Sequence, residues 1–208
     1  MSLANKHILV IAGPSACGKS TLIVEMLNNR RAANKLLTKL DLDHNLSIGK
    51  LTLERLVDSN KLNKKSRKNQ VEIALVHFDI FSRYRKARAL EFEKVVRSAK
   101  SLRLLILYLP FGEWLMRMNQ RYNYISGVRL SPLSVLKGFF CAGCKGFRPS
   151  RKAWIIVMVS RFSKELGRKI YKYEYTRWDK YWFKYTNFLP LYFDSCSGDF
   201  FENLPDFD

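Results

Sequence analysis

His7-Ile8-Leu9-Val10-Ile11-Ala12-Gly13-Pro14-Ser15-Ala16-Cys17-Gly18-Lys19-Ser20-Thr21 carries two patterns in succession. Its first six residues are a short, almost continuous apolar run, the signature of a strand buried on both faces. Gly13 to Ser20 then fit G-x-x-x-x-G-K-[ST], and Leu22, Ile23, Met26 and Leu27 follow at helical spacing. A phosphate-binding turn needs both neighbours, a strand before it and a helix after it, and both are predicted here. Glycines allow the tight turn that points successive N–H groups into one concavity, and the helix dipole adds positive potential there. Lys19 brings a mobile charge to the outer phosphates, and the Ser20 hydroxyl suits Mg²⁺. Gly13, Pro14, Ser15, Ala16, Cys17, Gly18, Lys19, Ser20 and Thr21 are therefore the expected nucleotide-binding residues.

Further along the chain, Val71 to Phe78 reads as a second buried strand, stopping on Asp79, and Leu102 to Leu109 as another before Pro110. Phe188 to Phe193 gives a last one. Leu36 to Leu40 admits a strand or a helix, and 51–58 a short helix, followed by a basic loop from Lys61 to Lys68. Helices are expected over 87–99, over Glu113 to Arg121, and across most of Trp154 to Tyr185. Tyr122 to Ser150 holds Gly127, Pro132, Gly138, Gly143, Gly146 and Pro149, so it reads as an irregular lid or binding loop. Strands alternating with helices predict an α/β fold on a parallel sheet.

The chain has 208 residues, which suits one domain. Its 37 Lys and Arg against 18 Asp and Glu leave a net charge of +19. That excess favours phosphate-bearing partners, whether nucleic acid or an anionic membrane surface, without choosing among them. It is unevenly spread: residues 60–186 hold 29 basic and 8 acidic side chains, whereas 187–208 hold none and 5, an acidic tail able to fold back on the basic surface. Four cysteines make no disulfide framework, so a reducing, cytoplasmic setting is expected. The apolar run at the start is far shorter than the roughly 20 residues of a membrane span, and neither a secretory signal nor a transmembrane segment is expected.

Gly13-Pro14-Ser15 with Gly18-Lys19-Ser20-Thr21 resembles the phosphate loop of the P-loop kinases, most closely the guanylate kinase and nucleoside monophosphate kinase branch. The resemblance implies a three-layer P-loop NTPase fold over residues 1–208. That fold has a parallel five-stranded sheet, a mobile acceptor-binding segment placed at 41–70, and a helical or irregular lid insertion placed at 122–150. It implies Mg²⁺ and ATP as cofactors. Asp79, ending the strand beside the phosphate-loop strand, is similar to the acidic residue that organises Mg²⁺ with Ser20. Arg117 and Arg121, spaced i,i+4 after the Leu105-Ile106-Leu107-Tyr108-Leu109-Pro110 run, are similar to the arginines entering the lid. Phe193 to Gly198 corresponds to the segment that holds the base. The resemblance thus makes Lys19, Asp79, Arg117 and Arg121 the catalytic candidates. It implies transfer of the terminal phosphoryl group of a nucleoside triphosphate to a small-molecule or carbohydrate-like acceptor. The chain departs from the guanylate kinase pattern in having no proline between Pro14 and Pro110, so specificity for GMP is not expected. The alternatives are a polynucleotide kinase, another nucleic-acid-binding P-loop protein, or a nucleotide-binding protein without transferase activity.

Other signals carry bland readings beside sharp ones. Asp79 also suits a turn or helix cap. Asp41 and Asp43 suit a hydroxyl acceptor or plain solvation; His44 is weaker, and His77 reads as a core histidine. Arg83, Arg85 and Arg88 suit an anionic acceptor or a basic turn. Cys141-Ala142-Gly143-Cys144 is half of a zinc spacing. Cys17 stands near a helix N-terminus, which favours a thiolate and suggests redox control. Tyr171, Tyr173, Tyr175, Trp178, Tyr181, Trp182, Phe183 and Tyr185 interleave with Lys172, Arg177, Lys180 and Lys184. That mixture suits a nucleic-acid strand, a membrane interface, or a helix with one core face and one solvated face.

Overall fold

The computed structural model describes residues 6–51, 71–81, 93, 96, 97, 99–126, 151–183 and 190–207. Its central strand, β1 (His7–Gly13), is buried from Ile8 onward, because strands flank it on both sides and both of its faces are covered. The apolar run at the start of the chain thus becomes the middle of the sheet. β3 (Ile73–Asp79) pairs parallel to it with Gly13 opposite Asp79, and β4 (Ser101–Tyr108) pairs parallel on the other side. β2 (Ile48–Leu51) extends the sheet beyond β3, and β5 (Leu191–Asp194) extends it beyond β4, both parallel. Two residues, β6 (Phe200–Phe201), turn back antiparallel on β5. The order is β2-β3-β1-β4-β5-β6, an α/β architecture on a mixed, mostly parallel six-stranded sheet rather than the five parallel strands expected. Phe200 and Phe201 were missed because two residues after a glycine turn carry no periodicity to read.

Five helices lie among the described residues. α1 (Lys19–Asn28) follows β1 through the glycine-bearing turn and buries Ile23 and Met26. α2 (Arg30–Lys39) overturns the strand option for Leu36 to Leu40. The Asn29 side chain accepts the Ala32 N–H at 3.2 Å, so one asparagine both ends α1 and caps α2. Ala33, Leu36 and Leu37 then bury one helical face. Leu51 belongs to β2; the rest of the 51–58 helix, the 61–68 loop, and Arg83, Arg85 and Arg88 lie outside the described residues.

α3 (Phe111–Ser126) is longer at both ends than expected. α4 (Arg151–Phe162) and α5 (Lys164–Phe183) replace the single helical stretch. Ser163 makes the break, its hydroxyl accepting the Leu166 N–H at 3.2 Å. Lys152 of α4 reaches both carboxylate oxygens of the buried Glu174 of α5 at 2.8 Å, an ion pair that ties the two helices together.

The aromatic residues of α5 resolve largely into core. Tyr171 and Tyr175 are fully buried and donate their hydroxyls to the carbonyls of Leu109 and Leu107, at 2.7 and 2.8 Å. Trp178 packs edge-on against Phe78 of β3. Phe207, in the acidic tail, packs on Tyr108, Tyr171 and Tyr175, and the Tyr108 hydroxyl donates to the Asp206 carbonyl at 3.2 Å. The tail therefore folds back, but through its aromatic residue onto the aromatic core and not through its acids onto the basic surface as expected. No helix among the described residues is long and apolar enough to cross a membrane.

Candidate functional site

Parallel sheets leave a crevice at the carboxyl ends of their strands, and here it opens where β1 and β3 stop side by side. The connection from Gly13 to Lys19 bends twice into left-handed backbone, at Ala16 (φ 65°) and Gly18 (φ 93°). Gly13, also at positive φ (156°), is required by packing as well. A Cβ there would meet Cys17 Sγ at 2.7 Å and the Leu107 carbonyl oxygen at 2.9 Å. The turn is pinned from three sides. Ile80 N–H donates to the Gly13 carbonyl at 3.1 Å, Trp114 Nε1 to the Ser15 carbonyl at 3.0 Å, and Ser195 Oγ to the Cys17 carbonyl at 2.7 Å. Strand β3, helix α3 and the turn after β5 thus all hold the same seven residues.

The first backbone bond of α1 runs from Leu22 N–H to the Gly18 carbonyl, and no side chain caps the helix start. The N–H groups of its first turn, and the positive end of its dipole, face an open cleft of about 320 Å³. Ser15, Ala16, Gly18, Lys19, Ser20, Thr21, His77, Asp79, Arg117 and Arg121 line it. Of the residues expected to bind nucleotide, Gly13, Pro14 and Cys17 lie beneath the surface, where they support the turn instead of lining the cleft. The remaining six line it, together with all four catalytic candidates.

Lys19 is almost wholly buried, and its ammonium donates to the carbonyls of Gly13, at 2.9 Å, and Pro14. Asp79 accepts from the Ser15 hydroxyl through one oxygen and from the Phe81 N–H, at 2.9 Å, through the other. Its carboxylate is thereby fixed across the gap between the turn and β3. On α3, Arg117 is braced by Glu113 at 2.6 Å, one turn back, and approaches Cys196 Sγ at 3.9 Å. Ser20 and Thr21 are exposed at the start of α1. The cleft therefore gathers three cations, an anchored carboxylate and free-facing hydroxyls around an uncapped helix end. That donor set suits a polyphosphate with its metal, Ser20 and Asp79 being the oxygen ligands at hand.

Two expectations are corrected. His77 is no core histidine: strand alternation puts it two residues before Asp79 on the same face, where it is exposed in the cleft. That alternation was readable from the sequence. One side of the imidazole opens to the cleft, but the protein packed around the rest of it desolvates the ring and pulls its pKa down to about 4, with Lys19 and then Lys50 adding to the effect and Asp79 opposing it. Cys17 is no activated thiolate. It is fully buried, and desolvation raises its pKa, aided by Asp79 and resisted by Lys19, whose ammonium lies 3.6 Å from the sulfur. Burial outweighs the helix end, so the basis for redox control through Cys17 is removed.

Asp41 and Asp43 lie away from the cleft. Asp41 contacts Arg103 of β4 at 3.4 Å, and Asp43 accepts the Asn45 N–H at 2.8 Å in a local turn. His44 is exposed beside them, its carbonyl accepting from Arg30. Cys141 and Cys144, and the segments 52–70 and 127–150, lie outside the described residues.

No family model and no curated protein matches the chain. A solved structure described as "Crystal structure of APE1195" is similar at 12% identity and a TM-score of 0.33, over 72% of this chain and 83% of that chain, a likeness too slight to carry an argument.

Proposed function

We propose that this chain is a P-loop phosphotransferase of kinase type that moves the terminal phosphoryl group of Mg²⁺–ATP to a small-molecule or carbohydrate-like acceptor. One observation carries the reading: Asp79, Arg117 and Arg121, drawn from two separate elements, line the same cleft as Lys19. The strand order supports it, since β2-β3-β1-β4-β5 places the loop-bearing strand centrally with the Asp79 strand as its neighbour, the arrangement expected of a P-loop sheet.

Phosphoryl transfer asks little covalent chemistry of a protein, so position and charge do the work. Bound Mg²⁺–ATP supplies the transferable group and a metal that neutralises part of its charge. The first-turn N–H groups of α1 donate to phosphate oxygens in place of water. Lys19 gives up its carbonyl partners on Gly13 and Pro14 for the outer phosphates, a short swing from a pre-formed position. Ser20 and Asp79 would hold the metal, Asp79 with its carboxylate already bonded to Ser15. Arg117 and Arg121 neutralise charge at the reacting end from the α3 side. His77, neutral at ordinary pH, faces the same space and offers the acceptor a hydrogen bond without adding charge.

The test is a transfer screen with γ-labelled ATP over nucleotides, sugars and oligonucleotides, run with the wild type and Lys19→Ala. Acceptor-dependent labelling that disappears in the variant supports the reading. Labelling of equal strength in both contradicts it, and ATP binding without labelling of any acceptor assigns the chain to the nucleotide-binding proteins that lack transferase activity.

A further inference from the structure

α4 and α5 form a hairpin whose outer surface the cleft does not use. Phe162, at the end of α4, is 84% exposed, and the adjoining face of α5 bears Leu166 at 50% and Tyr173 at 63%. On α5, Leu166, Lys169, Tyr173, Arg177 and Lys180 recur every three or four residues, so they share one side of the helix. All five are exposed, and Arg161, Lys164, Arg168 and Lys172 are exposed around them. Acids balance only part of this surface: Glu165 pairs with Lys169 at 2.7 Å, Glu174, buried against Lys152, also reaches Arg177 at 3.7 Å, and Asp179 accepts from the Tyr192 hydroxyl.

The geometry points to this face as a docking surface for an anionic lipid bilayer, with Phe162 and Leu166 entering the headgroup boundary and the cations flanking them on lipid phosphates. A convex helix that mixes exposed apolar side chains with cations matches the two layers of a bilayer surface, apolar below and anionic above. A nucleic-acid strand would need aromatic faces on which bases stack. The described rings of α5 are committed elsewhere, since Tyr171 and Tyr175 are buried and Trp178 packs on Phe78 and Tyr181; Tyr173 alone among them is offered outward. A second copy of the chain would bring a surface of the same charge against this one, which repels.

The full chain is sedimented with vesicles of phosphatidylcholine alone and of phosphatidylcholine mixed with phosphatidylglycerol, while a fluorescent single-stranded oligonucleotide is titrated in parallel. Binding to the mixed vesicles alone, released by salt, is expected. Two exposed double variants, Phe162→Ser with Leu166→Ser and Lys169→Glu with Lys180→Glu, are each expected to weaken it more than about tenfold with circular dichroism unchanged. Equal binding of the wild type to both vesicle types, no binding to either, or vesicle binding that both variants retain overturns the proposal. Oligonucleotide binding that the charge variant abolishes, with vesicles ignored, overturns it in favour of nucleic acid.

Discussion

Lys19 commits its ammonium to the carbonyls of Gly13 and Pro14, and His77 across the cleft has its pKa lowered by desolvation first and by that ammonium second. The consequence for His77 has a definite sign. Its pKa in the folded chain is about 4 against an ordinary 6.5, so between those values the unfolded chain binds a proton that the folded chain refuses. Stability therefore falls as the pH drops from 6.5 toward about 4 and is indifferent to this group above 6.5. Urea midpoints measured across that window should decline less steeply in His77→Gln than in the wild type; parallel slopes would show that the imidazole is not held neutral. Cys17 makes the opposite kind of prediction. Its thiol is buried and its pKa raised, whereas Cys196 is exposed. Mass spectrometry after brief alkylation of the native chain should find Cys196 modified and Cys17 untouched, and mild oxidation should not act through Cys17.

The turn between β1 and α1 depends on two glycines, both at positive φ, of which Gly13 is also closely packed. Gly13→Ala forces a Cβ to within 3 Å of Cys17 Sγ and the Leu107 carbonyl oxygen, a packing clash expected to cost about 1–3 kcal/mol in unfolding free energy. Gly18→Ala meets nothing within 4 Å, so its cost is backbone strain alone, about 1–2 kcal/mol. Farther away, Lys152→Met leaves the Glu174 carboxylate buried with only the more distant Arg177, at 3.7 Å, and should lower stability by about 1–3 kcal/mol. Thermal melts rank these variants. The strand, turn and helix were legible in the sequence because an apolar run, two glycines at positive φ and helical spacing after Lys19 each mark one part of them. β1, β3 and β4 were legible because largely buried strands leave near-continuous apolar runs, interrupted here only by His77 in β3 and Arg103 in β4. α2 was ambiguous because Asn29 serves two helices at once, and the break at Ser163 was hidden inside a continuous helical pattern. The outward place of His77 could have been read from its spacing to Asp79, had alternation been weighed above the apolar residues around it.

Across the whole molecule, the +19 charge divides among different tasks. Lys19, Arg117 and Arg121 account for the cleft, Lys152 and Arg103 are drawn into packing and ion pairs, and the outer surface of α4 and α5 keeps most of the cations in their stretch exposed to solvent. The acidic tail is held by Phe207 on the aromatic core near Tyr108, with the Lys172 ammonium 5.9 Å from the Phe207 ring. Charge of this magnitude is thus more than the cleft uses. The measurement closest to the central claim is calorimetric titration of Mg²⁺–ATP into the wild type and into Lys19→Ala, with circular dichroism confirming that both are folded. The account predicts saturable binding to one site in the wild type, weakened about 100-fold or more in the variant, the scale of charge-assisted hydrogen bonds lost from a buried position. Equal affinity in the two proteins, or none in the wild type, would contradict it.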